Sequence, residues 1–461
     1  MRRRRRACGG ALGIVLSVGQ AATGLCWAVP AAGTTPIAPA DARQQGGPRA
    51  HGPALTLAEA LAIFHARGLD LVIADAEVEG AAADAQSAAA IPNPTLFGGP
   101  SYAAFDHSQF ETHYGWSVGL SDGNAIEDGL SGKRRLRSSV ARATLAAAKL
   151  RRADAERTLD LQVKQAYVQV VAAMAAVELA EDSARSSEET LRLNQVRYRS
   201  GAISEVDLSK TETAKLEGDQ ALEAARESLH RAGVLLALWL GSPRDQSPDF
   251  AIDPRQSRFY EPPPVTTVAL EEDALIDRAL AARPDLLGQI DEEQRATAAR
   301  SLASRLRVPD IGLGLQYQQQ GAASSANPIS PPTLMLTLSA TLPVFYQQQG
   351  EIRHAEADLR VQQARKSRLA AQVVADVKAA LEGYRSARRL VDRMQGRLLD
   401  RALRARDLVK LQYEKGAASL LELLDGQRTY ILARTEYIQD LSGYWNAVFQ
   451  LEAAVASELV K

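Results

Sequence analysis

The strongest constraint on this 461-residue chain is that it spells one unit twice, at an offset of about 215 positions. That period is too long for a solenoid and fits a duplicated domain half. Leu57-Ala58-Glu59-Ala60-Leu61, followed by Ala66-Arg67-Gly68-Leu69-Asp70-Leu71, is echoed by Glu272-Asp273-Ala274-Leu275 and Ala282-Arg283-Pro284-Asp285-Leu286. Pro94 answers Pro309, and Gly132-Lys133-Arg134-Arg135 is aligned with Gly350-Glu351-Ile352-Arg353. Tyr198-Arg199-Ser200-Gly201-Ala202 corresponds to Tyr413-Glu414-Lys415-Gly416-Ala417. Chance similarity between Ala-rich helices would not keep these landmarks in order.

Each half opens with an expected helix, Leu57 to Ala90 and Leu270 to Arg307, stopped by Pro92 and Pro94 or by Pro309. Strand patterns follow. Leu96, Tyr102, Tyr114, Trp116, Val118 and Leu120 share one parity, with His113, Ser117 and Ser121 on the other. In the second half Ile311, Leu313, Leu315 and Tyr317 alternate with Gly and Gln, and Leu334, Leu336 and Leu338 alternate with Thr333, Met335, Thr337 and Ser339. Period-2 patterning means strands with one apolar and one polar face. Phe105 to Phe110 and Gln319 to Pro332 read as the hairpin loops, which places the hairpins at 95–121 and 310–345. Four strands cannot close a barrel. Several copies could, with Tyr114, Trp116, Val118, Leu313, Leu315, Leu334 and Leu336 toward lipid. Two antiparallel sheets in a soluble domain would explain the alternation equally well.

Beyond each hairpin comes a proline-free helical run, Gly132 to Arg199 and Gly350 to Lys415, close to 100 Å long at about 1.5 Å per residue. Leu159, Val163, Ala166, Val170, Ala173, Val177, Ala180 and Ala184 step by four and three, the spacing of a coiled-coil seam. Gly201 and Gly416 then reverse the chain, Ser204 and Ser419 start the returning helices, and tips form at 200–204 and 415–419. The last helix repeats the three-four spacing through Leu424, Gln427, Ile431, Arg434, Ile438, Leu441, Trp445 and Val448. The first repeat therefore spans 55–240 and the second 268–461, joined by a Pro-rich linker at 241–267. Aromatic residues are only 5% of the chain, so burial should rest on small aliphatic side chains.

Arg2 to Arg6 followed by the apolar, small-residue stretch Ala7 to Ala28 reads as an export signal within 1–32, cleaved after Ala28 or Ala32, ahead of a flexible segment at 33–54. Both cysteines, Cys8 and Cys26, lie in that signal, so the mature chain should have no thiol or disulfide. Leu25 argues against lipidation of Cys26. Losing five arginines would take the formal charge from −1 to −6, a poor balance for binding nucleic acid. No later apolar run approaches the roughly 20 residues of a spanning helix, so insertion in a membrane would require a β-barrel.

With these landmarks, together with Ile91-Pro92-Asn93-Pro94 and Leu238-Trp239-Leu240-Gly241, nearly the whole mature chain resembles the TolC-like outer-membrane efflux channel family. Strand, spacer and Gly-Lys-Arg are most similar to its cobalt-zinc-cadmium efflux branch. The resemblance implies a mainly α chain with a small β part, forming a homotrimer with a twelve-stranded β-barrel continued by a long α-helical periplasmic barrel. It implies a periplasmic adaptor, an inner-membrane pump and outer-membrane lipid as partners, no cofactor, and a passive duct for small toxic solutes or metal ions. The tip residues Tyr198, Gly201, Ala202, Gly416 and Ala417 would then contact the adaptor. Glu422 and Asp425 would form a periplasmic gate or selectivity ring; as plain helix-start acids they would equally suit the macrodipole. Where some members carry a gate-locking arginine this chain has Ala418, so a latch would use Tyr413, Arg428 or the cluster Arg404, Arg406 and Lys410. Asp400 and Asp407 could equally balance that cluster on an exposed helix face.

An enzyme is disfavoured, because no phosphate loop, zinc-protease motif or nucleophile motif occurs. His107 and His113 lack a third ligand, so no metal site is expected. A type I secretion duct and a soluble periplasmic coiled-coil adaptor are the competing readings.

Overall fold

The computed structural model describes residues 55–102, 114–241, 271–320 and 331–459. The export signal, the 33–54 segment, His107, His113 and nearly all of the 241–267 linker lie outside them. In each repeat a broken helix leads into a β-hairpin and then into two long antiparallel helices.

The opening helix is two helices each time. α1 (Leu57–Arg67) and α2 (Leu69–Ala89) meet at Gly68, and α6 (Glu272–Ala282) and α7 (Pro284–Arg305) meet at Arg283. These breaks correct the expectation of one helix per half. Pro284 excludes helical geometry from the residue before it, and Arg283 accordingly sits at ψ 121°.

The strands β1 (Thr95–Tyr102), β2 (Tyr114–Ser121), β3 (Asp310–Gln320) and β4 (Thr333–Thr341) form one antiparallel sheet in the order β1-β2-β3-β4. β2 pairs with β3, so the two hairpins are joined edge to edge, and among the described residues the outer edges of β1 and β4 have no partner strand. The short helix α3 (Ala125–Leu130) follows β2. At the junction with the helices, Lys133 is buried, with Nζ donating to Val308 O at 2.8 Å and Asp310 Oδ1 at 2.5 Å.

α4 (Lys133–Arg199) is continuous over 67 residues, and α5 (Glu205–Trp239) returns along it. The second long run is not uniform: α8 (Gln349–Arg393) passes through a π-helical turn, Met394–Leu398, into α9 (Leu399–Glu414), before α10 (Leu420–Val455) returns. The left-handed N-cap Gly132 (φ 75°) has its conformational counterpart in Gln348 (φ 60°), not Gly350. Gly241 (φ 65°) and Ala456 (φ 54°) form another left-handed pair 215 positions apart.

α4 is the spine, packing on α5, α7, α2 and α10. Its Val163, Val170 and Ala173 are buried as the seam spacing requires. By length and composition α4 also holds one stretch apolar enough to cross a bilayer, which corrects the reading that none exists. Here, however, Val163, Val168 and Val171 belong to the main core with Phe64, Leu236 and Trp445. On α10 the expected seam holds at Leu441, Trp445 and Val448 but moves nearer the tip, where Leu420, Leu423 and Tyr437 are buried instead. Tyr384, Tyr444, Trp445 and Phe449 form a run of aromatic rings at centroid separations of 5.7, 5.8 and 6.0 Å. Burial and the neighbouring Tyr384 push Tyr444 up to about 12.

Candidate functional site

Two regions hold the residues singled out from sequence. In the sheet, the register decides which side chains share a face. Leu96 pairs with Leu120, Leu120 with Leu315 and Leu315 with Leu336. Following those pairs by twos places Tyr114, Trp116, Val118, Leu313, Leu315, Leu334 and Leu336 on a single face. Leu96, Leu334, Leu336 and Leu338 are each about 70% exposed there, an apolar surface that none of the described residues covers. The opposite face carries Ser101, Ser117, Ser121, Gln316, Gln318, Thr337 and several glycines. Phe97 and Met335 are its large exceptions, and the Phe97 ring fills the place a side chain at Gly119 would take, 2.4 Å from a built Cβ.

At the other end, Gly201 (φ 72°) and Gly416 (φ 77°) adopt the left-handed turn that glycine accepts without strain. Gly201, Ala202, Gly416 and Ala417 are exposed at the tips, and Tyr198, one turn back, is 41% exposed. Ser204 caps α5 by accepting from Asp207 N, and Ser419 caps α10 by accepting from Glu422 N.

The gate candidates separate. Glu422 completes a capping box: its carboxylate accepts from Ser419 N at 2.7 Å and Ser419 Oγ at 2.9 Å. The Ser419 backbone hydrogen bond, supported by the hydroxyl, holds the Glu422 carboxyl below its usual value, so it stays ionised. Asp425 is exposed and lines a groove of about 1150 Å³ between α5 and α10, together with Leu424, Arg428 and Ile431. Tyr413 instead is buried in the seam between the repeats: its hydroxyl donates to Asn194 Oδ1 at 2.5 Å, and Asn194 Nδ2 donates to Thr211 Oγ1 at 2.8 Å. Arg197 lies 4.7 Å from the Tyr413 ring centroid and donates to the Tyr413 and Glu414 carbonyls. Asn194, Thr211 and Arg197 carry no signal in the sequence, because nothing local distinguishes a buried Asn from a solvated one.

The basic cluster is dispersed. Lys410 pairs with Glu189 of α4 at 3.1 Å, and Arg406 bonds its neighbour Asp407 and stacks on Tyr430 at 4.1 Å. Arg404 is exposed. No group of metal-ligating side chains occurs among the described residues.

The model of the outer membrane efflux protein family matches the chain twice, over residues 63–242 and 275–457. A pyoverdine export outer membrane protein, OpmQ of Pseudomonas putida, is 28% identical over 70% of this chain and 66% of its own length. The cobalt-zinc-cadmium resistance protein CzcC of Cupriavidus metallidurans is 24% identical over 91% of this chain and 92% of its own. The CmeC outer membrane channel of Campylobacter jejuni superposes with a TM-score of 0.72 at 17% identity, covering 88% of this chain and 87% of that one. A structure of CusC, described for transmembrane channel formation, superposes with a TM-score of 0.70 at 19% identity, over 90% and 95% of the two chains.

Proposed function

The chain belongs to the outer membrane efflux protein family, and from that premise we propose that it is the passive exit duct of a tripartite efflux system. It is an outer-membrane protein with a periplasmic helical extension. Three copies would each contribute four strands, satisfying the open edges of β1 and β4, which lipid cannot hydrogen-bond. The observation that carries this reading is the two-faced sheet. Trp116, Leu315 and Leu336 suit lipid on one side, while Ser117, Gln316 and Thr337 suit a water-filled lumen on the other.

The tips are where a periplasmic adaptor, itself attached to an inner-membrane pump, would dock. Gly201, Ala202, Gly416 and Ala417 present exposed backbone and small side chains there, with Tyr198 at the base of the first tip. The Tyr413–Asn194–Thr211 chain, reinforced by Arg197, is the fastening of the closed tip that Ala418 does not provide. Asp425, with the ionised Glu422 one turn before it, would form acidic rings that draw cations to the opening. The chain performs no chemistry of its own in this scheme; the pump supplies the energy.

The cargo class is small toxic solutes or metal ions, the latter favoured because the match to the metal-resistance relative spans both chains almost end to end. A strain lacking the chain should become sensitive to divalent cobalt, zinc or cadmium and retain more of the ion. Sensitivity to hydrophobic drugs alone would overturn the metal preference. Unchanged sensitivity to both classes would overturn the efflux role.

A further inference from the structure

We infer that the exposed faces of α5 and α9 are two halves of one seam, closed between neighbouring copies of this chain, in which Glu212 of one copy pairs with Arg401 of the next. The inference rests on the proposed ring of subunits and adds its register. Within the chain, the seam between the repeats runs antiparallel along α4 and α10, where Gln427 Nε2 donates to Ser186 Oγ at 3.2 Å. Near the tips the repeat holds an offset of 215 on both sides of each turn, at Gly201 and Gly416 and at Ser204 and Ser419. Moved by that offset, Ser186 becomes Arg401 and Gln427 becomes Glu212.

Both are exposed, they carry opposite charge, and among the described residues neither is in an ion pair or hydrogen bond. They sit in matching stripes. Arg397, Arg401, Arg404 and Leu408 step by four, three and four along one helix face, and Glu205, Ser209, Glu212 and Leu216 do the same along the other. Leu408 and Leu216 are 60% and 61% exposed, so each stripe has an apolar side chain awaiting cover as well as a charge awaiting a partner. Inside one chain α5 packs on α4 and α9 on α10, so the two stripes do not cover each other. A second copy in the antiparallel register the internal repeat already uses sets Glu212 against Arg401, Ser209 against Arg404, Glu205 against Leu408 and Leu216 against Arg397, so Glu212–Arg401 is its one match of opposite charge. Such a head-to-tail contact closes a ring when each copy turns by one third of a full rotation, as the proposed trimer requires.

The same transposition turns the buried polar fastening into an apolar contact. Tyr413, Asn194 and Thr211 become Tyr198, Val409 and Gly426, and Val409 already packs on Gly426 within the chain. Tyr198 is then covered by the neighbour's Val409 rather than by an adaptor. The Glu212–Arg401 pair makes the seam between copies sensitive to salt, as the exposed Lys410–Glu189 pair does for the seam within the chain.

Cysteine pairing in the full-length protein tests this. Coexpressed Glu212→Cys and Arg401→Cys in one chain should bridge under mild oxidation into a ladder reaching three chains on non-reducing gels. The single variants, which also control for Cys8 and Cys26, should not. A second measurement needs no thiols: Glu212→Arg or Arg401→Glu alone should lower the trimer fraction at least several-fold on native gels, and the double reversal should restore it. A protein that runs as a trimer yet gives neither the ladder nor the rescue overturns this register alone. One that is monomeric in membranes and in detergent overturns the ring of subunits itself.

Discussion

Arg283 lies 215 positions after Gly68 and repeats its backbone, φ −65° and ψ 121° against φ −61° and ψ 116°. One break is imposed by Pro284; the other needs no unusual φ, and glycine is required there by packing. A Cβ at Gly68 would meet the Phe64 ring at 2.6 Å and the Phe64 carbonyl at 2.7 Å. Gly68→Ala should therefore destabilise the protein by about 1–3 kcal/mol through overpacking. Gly80→Ala, inside α2 with open space around it, should be neutral or stabilising by up to about 1 kcal/mol. Thermal unfolding of the two detergent-solubilised variants checks the contrast, and equal effects would refute it.

At the tips, Tyr413→Phe removes one hydroxyl and leaves the fully buried Asn194 with an unmet acceptor, a cost of about 1–3 kcal/mol. If the fastening holds the tip closed, the variant should show larger or more frequent open conductances in planar bilayers. Wild-type conductance in Tyr413→Phe would remove the tyrosine from the gate.

Ala456 occupies the left-handed region at the position where the first repeat uses Gly241. An alanine there costs about 1–2 kcal/mol, partly offset by the greater chain entropy of glycine. Ala456→Gly should raise stability by about 0.5–1 kcal/mol, read as a higher thermal midpoint.

The pH dependence follows from a buried cluster. Arg283 donates to Asp285 through Nε at 3.1 Å and Nη2 at 2.7 Å, and to Asp376 through Nη1 at 2.9 Å. Burial opposes ionisation of Asp285, but the guanidinium outweighs it and holds the carboxyl below its usual value. A depressed carboxylate stabilises the fold above its unfolded pKa of about 3.9, and that stability is lost as pH falls through the lower folded value. The midpoint of wild type should thus fall more steeply below pH 4 than that of Asp285→Asn. Parallel curves would show that the pair contributes no linkage.

For the acidic ring, Asp425→Asn should reduce cation preference in reconstituted channels while leaving assembly intact. An unchanged reversal potential in a salt gradient would leave Asp425 as a solvated helix acid.

The repeat, the strand faces and the tip glycines were legible because each has a period or a backbone requirement that local sequence records. Leu315 and Leu336 announce their face through period-2 alternation, and the register then aligns that face across all four strands. Pro284 signals the break at Arg283, whereas the break at Gly68 carries no such signal. The π-helical turn at Met394–Leu398 has no mark in composition. Tyr198 and Tyr413 look alike in their repeats, yet Tyr413 is buried against Asn194 across the seam within the chain while Tyr198 stays 41% exposed. Such differences are tertiary, and no local pattern holds them.

The most direct test of the central claim is single-channel recording on the purified full-length protein in planar lipid bilayers, beside extraction from isolated membranes. A trimeric duct predicts discrete conductance steps from material released only by detergent. Protein that leaves the membrane fraction without detergent, runs as a monomer and gives no steps would contradict it.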